Sequence, residues 1–205
     1  MAVLRILGID PGTQVVGFGC LEVAVSTSVP RGVAVPMAMR GSNVVRVGGG
    51  AHDGVRLLTA GVLRLGGRSV ALPQRLLSLS DQLRALVAEL APDEVALEEA
   101  FHGKSAQAAL RIGEARGVVL AEAARSGLSV FQFPPARVKR CVTGNGAAGK
   151  ESVAAMIVQL VQAGRSALPT SLPLDASDAV AVAWTRLEER RSPLVGLMRS
   201  VKEPD

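Results

Sequence analysis

Four acidic residues, each at the end of an apolar stretch, are the ones whose types and spacing could do chemistry. Asp10 closes the run LRILGID and is followed at once by Pro11 and Gly12, Glu98 ends VALE, and Asp175 and Asp178 stand at the head of LDASDAVAVA. An isolated ionised acid beside a buried strand is costly unless it is paired or bound to a cation. Asp10 therefore has two readings, a metal ligand or the first residue of an Asp-Pro-Gly turn, where Asp is common. Glu98, next to Glu99, can equally be a solvated strand end. Asp175 and Asp178 can be helix-start residues, since Asp is favoured at an N-cap and in the first turn. A spacing of three also puts that pair on one helix face, where both side chains can reach one point. Taken as a set in a chain of formal charge +5, the four resemble a carboxylate cluster that holds Mg²⁺ or Mn²⁺ with a phosphate bridging.

The elements that must position these acids can be read from hydrophobic period. Residues 4–23 predict a strand, a tight turn at Pro11-Gly12 and a returning strand. Residues 24–54 are rich in Ser, Thr, Pro and Gly, end in Gly48-Gly49-Gly50, and predict a loop insertion. A third strand is expected over 55–65. From Pro73 the period turns helical, with Leu76, Leu79, Leu83, Leu86, Val87 and Leu90 on one face. Residues 93–100 then predict a short buried strand, 104–125 a helix rich in Ala and Gly, and 128–133 another strand. Helices are expected around 136–142, 150–163 and 175–189. Strands paired first as a meander and then alternating with helices indicate a single α/β domain with a mixed sheet. Its expected span is residues 1–190, with 191–205 as a tail.

The bulk composition narrows the partner. The 205 residues are 48% hydrophobic and 20% charged, with a pI near 10. A basic excess favours an anionic partner, nucleic acid or membrane surface. Arg outnumbers Lys 19 to 4, and its planar fork suits phosphate. Cys20 and Cys141 have no neighbour at metal-ligand spacing, so a reducing compartment without a structural disulfide is expected. No run approaches the length of a membrane span, and a cytoplasmic protein with no membrane partner is expected. Only two His are present, with no Ser-His-Asp pattern. The segment GNGAAGK, 144–150, nearly spells a phosphate-binding P-loop, but Glu151 stands where Ser or Thr is needed and no clear strand precedes it.

The same residues carry a family resemblance. Asp10 in LGIDPGTQVVGFG, Glu98 in ALEEAF, and Asp175 with Asp178 in LDASDAVAVA resemble, in order and spacing, the four acidic positions of RuvC, the bacterial Holliday-junction resolvase family. The connecting text KSAQAALRIGEARG and PARVKRCVTGNG agrees as well, so the resemblance spans nearly the whole chain; the 24–54 insertion is longer than the family pattern. The resemblance implies a ribonuclease H-like fold with a five-stranded mixed sheet flanked by helices. It implies a homodimer that nicks two strands of the same polarity at symmetric places in a four-way junction, in recombination and repair. Asp10, Glu98, Asp175 and Asp178 would hold two divalent ions per active site, Mg²⁺ or Mn²⁺. Hydrolysis would leave 5′-phosphate and 3′-hydroxyl ends. Lys139 and Lys150 match basic positions near the scissile phosphate, Lys150 within the catalytic set, and solvated helix residues are the competing reading. Phe101, with Lys104 nearby, would contact the junction, the ring stacking on an unpaired base; a Phe folded into the core is the alternative. The helix from Lys104 would form the dimer contact, against which stands simple core packing. The resemblance further implies cooperation with the branch-migration proteins RuvA and RuvB. Two other classes remain beside it. GIDPGT also resembles the phosphate turn of actin-like ATPases and sugar kinases, which need a second domain, and a non-catalytic junction-binding protein would have no use for all four acids.

Overall fold

Alternation along the first strand decides which layer each of its residues serves. In the computed structural model, which describes residues 2–25, 54–99, 106–162 and 172–192, β1 (Ala2–Asp10) lies antiparallel to β2 (Val15–Val25), with Asp10 opposite Gly17. β3 (Val55–Arg64) pairs antiparallel with β2, while β4 (Glu94–Glu98) and β5 (Ser129–Phe133) extend the other side in parallel. The order is β3-β2-β1-β4-β5. This is the expected five-stranded mixed sheet, with β1 at its centre.

Five helices cover the two faces among the described residues: α1 (Leu72–Leu90), α2 (Ala106–Arg125), α3 (Pro135–Thr143), α4 (Lys150–Gln162) and α5 (Leu174–Arg191). Leu7 and Ile9 of β1 pack with Leu79 and Leu83 of α1 and Val119 of α2. Leu4 and Ile6 point the other way, into a core with Val138 of α3, Ile157 of α4 and the length of α5. Pro73 sits in the first turn of α1, where its missing N–H costs nothing. Ala91, in the left-handed conformation, ends that helix by donating its N–H to the Val87 carbonyl at 2.9 Å.

Helix α5 departs from the usual one-sided pattern. Ala176 and Ser177, and every residue from Ala179 to Leu187, are buried, as expected of a helix enclosed on all sides. Its small side chains meet glycines of the sheet. A Cβ at Gly8 would overlap the Ala179 carbonyl oxygen, and one at Gly17 the Asp175 carbonyl oxygen. Backbone thus meets backbone where α5 crosses β1 and β2.

The element boundaries refine the sequence reading by a few residues. β2 runs to Val25, pairing Ala24 with Val3, so the first residues assigned to the 24–54 insertion belong to a strand; residues 26–53 lie outside the described residues. α5 continues to Arg191, two residues beyond the expected end of that helix at 189. GNGAAGK follows helix α3 and leads into α4, which is not the strand-to-helix context of a P-loop.

Candidate active site

The carboxyl end of β1 delivers Asp10 to the face that carries α5, because Leu4, Ile6, Gly8 and Asp10 alternate onto that side. The bare backbone of Gly17 beside it lets the first turn of α5 settle over the strand end. That turn carries Asp175, and Asp178 follows one turn on. Carboxylate oxygens of Asp10, Asp175 and Asp178 all lie within 4.8 Å of one another, a spacing suited to a shared cation. Glu98 ends β4 one residue beyond the Ile9–Leu97 pair, which sets it next to Asp10 in the parallel register. It stands outside the group of three.

The electrostatics of the cluster are those of acids with too little compensation. Burial, then the negative charges of Glu98, Asp178 and Asp175, push the Asp10 carboxyl up to about 7, against the lowering pull of Lys150. Burial and the charge of Asp178 likewise push Glu98 up to about 7, opposed by Lys150, Lys139 and Arg116. A bound cation reverses both effects by favouring the ionised form. The donors are all hard carboxylate oxygens, the chemistry preferred by Mg²⁺ and Mn²⁺, so the residues present fit such ions.

Two cations predicted from the sequence face this cluster. Lys150, at the start of α4, places Nζ 2.7 Å from Asp178 Oδ2. That hydrogen bond raises the ammonium's pKa. Lys139 of α3 is half-buried and near enough for its charge to act on Glu98. Phe101 and Lys104 lie outside the described residues.

Arg116 and Arg75 are supporting residues that sequence reasoning missed. Arg116 of α2 donates to the Glu98 carbonyl oxygen and to Oε1 of Gln132, tying the end of β4 to β5 and α2. Burial lowers its pKa, the charges of Glu99 and Glu98 pulling the other way. Arg75 of α1 donates from Nη1 to the Thr13 carbonyl at 2.7 Å, and the Leu65 N–H reaches the Gln14 carbonyl at 2.9 Å. The turn after Asp10 is thereby held from outside its own sequence. Neither Arg carries a local signal, since each partner is many residues away along the chain.

Comparison with known proteins points to one family. The family model described as Crossover junction endodeoxyribonuclease RuvC matches residues 32–186. A protein of that name from Halorhodospira halophila is 36% identical over 190 residues, 93% of this chain and 93% of its own length. Another from Pelobacter propionicus is 37% identical over 184 residues, 90% of this chain and 86% of the relative. Among solved structures, Thermus thermophilus RuvC in complex with a Holliday junction substrate superposes with a TM-score of 0.66 at 26% identity, covering 92% of this chain and 95% of that one.

Proposed function

The chain belongs to the RuvC family of crossover junction endodeoxyribonucleases, and from that premise we propose that it is a structure-selective, metal-dependent endodeoxyribonuclease that resolves four-way DNA junctions. The observation that carries this reading is the meeting of Asp10, Asp175 and Asp178 within 4.8 Å at the carboxyl end of the central strand. Glu98 beside them completes the acidic set.

In this reading the four carboxylates would hold Mg²⁺ or Mn²⁺, two ions per site, and the chemistry so supplied would be activation of water and stabilisation of the leaving oxygen of a phosphodiester. Asp10 gives the site a fixed point, because its backbone pairs with Gly17 of β2 and the preceding Ile9 pairs with Leu97 of β4. Lys150 neutralises Asp178 in the free protein and turns to a non-bridging phosphate oxygen as substrate arrives, stabilising charge that develops there. Lys139 serves the same strand from beside Glu98. Phe101 and Lys104 are assigned to the junction itself. The products are a 5′-phosphate and a 3′-hydroxyl, from paired symmetric nicks in strands of the same polarity.

A two-fold symmetric substrate calls for a two-fold symmetric enzyme, and a homodimer through α2 is the natural arrangement. Leu110 is 70% exposed, and Gly113 and Gly117, at helical spacing from it, have open space around them. Leu77 of α1, 61% exposed, adds to the apolar surface. RuvA and RuvB are the proposed branch-migration partners, and the cytoplasm the proposed compartment. No helix among the described residues is long and apolar enough to cross a membrane. Residues 1–190 are proposed as one nuclease domain and 191–205 as its tail.

Incubating purified protein with an end-labelled four-way junction, in Mg²⁺, Mn²⁺ or chelator, tests the assignment. Symmetric nicks in the metal samples, with linear duplex left intact, are expected. A junction that stays whole in both metals would overturn it.

A further inference from the structure

A cleft of about 510 Å³ is lined by Gly12 and Thr13 of the β1–β2 turn, Arg68 of the β3–α1 connection, and Gln107, Arg111 and Ile112 of α2. Two coordinates fix its place. Thr13 is three residues beyond Asp10, hence at most ~11 Å from it along an extended chain. Arg111 lies five residues before Arg116, roughly 7.5 Å along the helix axis, and Arg116 grips the Glu98 carbonyl. The cleft therefore adjoins the site at the same edge of the sheet, on the side of α2.

Its chemistry is the reverse of the site's. The described lining holds two Arg and no acid. Arg111 meets Glu114 at 3.3 Å, with the two side chains 45% and 41% exposed. An exposed pair of that kind is worth little and gives way to a phosphate that can take the guanidinium fork in two bonds. Thr13 and Gln107 add neutral polar groups, and Ile112 an apolar wall. The turn that forms one side is held from beneath by Arg75 on the Thr13 carbonyl, so the cleft is preformed.

We propose that this cleft is a phosphodiester subsite. Arg68 and Arg111 hold a backbone phosphate of the same DNA strand whose scissile phosphate lies over Asp10, Asp175 and Asp178. The cleft supplies the attraction that the acids, on their own, deny the substrate. The inference rests on the nuclease reading above, which names the strand.

The test is junction binding in chelator across a series of salt concentrations, for wild type, the double variant Arg68→Ala/Arg111→Ala, and Arg56→Ala. Arg56 pairs with Glu22 at the other end of the sheet, where Arg5 still holds that acid. Each lost phosphate contact makes the slope of log K against log salt shallower by ~0.7–0.9. Because the two Arg share one phosphate, the double variant is expected to lose about 0.7–0.9 of slope, while Arg56→Ala keeps the wild-type slope. An unchanged slope in the double variant overturns the subsite. An equal loss in Arg56→Ala overturns it too, because net charge would then explain the effect. Binding in chelator needs no cleavage, so a wild type that never nicks a junction in metal removes the nuclease reading while this measurement still decides the cleft.

Discussion

Glu94 and Glu98 open and close the five-residue strand β4 and, by alternation, point to the same face of the sheet. At the amino end, Glu94 accepts from Arg186 at 2.8 and 3.1 Å and from Arg190 at 2.9 Å, with a further Arg190 contact to its other oxygen. Arg186 is itself stacked over the Phe131 ring, 3.3 Å from its centroid. Burial raises the Glu94 carboxyl, but the hydrogen bonds and charges of the two Arg outweigh it and hold it below the ordinary range. At the carboxyl end, burial and the charge of Asp178 hold Glu98 up at about 7. The same residue type on one strand is thus satisfied by the protein at one end and left wanting at the other. A carboxylate that the fold completes is architecture. One that the fold desolvates and leaves among other acids waits for a cation from outside, and such perturbed groups cluster at functional sites.

The comparison is most sharply broken or upheld by substituting one acid at each end. Asp10→Asn should reduce nicking by about three orders of magnitude or more, equivalent to about 4 kcal/mol of barrier, while junction binding in chelator stays intact. Equal loss of binding and cleavage would place Asp10 with the structural acids. Glu94→Gln should do the opposite. Removing one partner of a buried ion pair costs about 3–5 kcal/mol, and here Arg186, 3% exposed, would keep Glu189 but lose its two bonds to Glu94. Urea denaturation should show that loss, with the enzyme that remains folded still cutting. A near-neutral midpoint would mean the Arg cluster contributes nothing net.

Gly17→Ala tests the contact that joins α5 to the sheet. The added methyl collides with the Asp175 carbonyl, and overpacking of this kind costs about 1–3 kcal/mol. Because the strain falls on the first turn of α5, the Mn²⁺-induced rise in melting temperature should shrink as well, since weaker binding gives less stabilisation. A melt shifted without change in the metal response would detach the glycine from the site.

The smallest effect carries the clearest sign. In chelator, Asp10→Asn should raise the melting temperature by a few degrees at neutral pH, about 1 kcal/mol being roughly 2–4 °C for a chain of this size. Asp10 moves from an ordinary 3.8 to about 7 in the folded protein. The folded state therefore keeps the proton longer, and its contribution to stability is full below pH 4 and lost as pH rises toward 7. The advantage of Asp10→Asn over wild type should accordingly grow across that window and level off above it. Glu94 runs the other way: its carboxyl is lowered by folding, so its contribution is present above the ordinary 4.5 and lost as pH falls. Melting curves from pH 4 to 8 for wild type and Asp10→Asn check the first of these, and a constant difference would contradict it. Lys150 is the reason for choosing Asp10, because Asp178 already has a cation at 2.7 Å and its removal mixes relief with loss.

Period and punctuation were enough to predict the elements. The leucine stripe of α1, Pro73 in its first turn, and the alternation of β1 are local properties of the chain, and they set helix, strand and the burial of one face each. The identity of the candidate acids was legible for a related reason: a carboxylate at the end of an apolar run is anomalous wherever the run is placed. How the acids stand to one another was not legible. That Asp10, Asp175 and Asp178 share a point while Glu98 stands just outside it depends on glycine backbones in β1 and β2 meeting the alanine-rich flank of α5, a contact between segments more than 150 residues apart. Glu94 shows the same limit. In DEVALEEA it is one acid among several, and only the return of α5 brings Arg186 and Arg190 to it. Sequence determined which residues are polar, where chain direction changes and which faces are apolar, because those depend on near neighbours. Whether a given charge ends up paired or unpaired is set by long-range packing and the desolvation that comes with it, and that the tertiary structure alone decided.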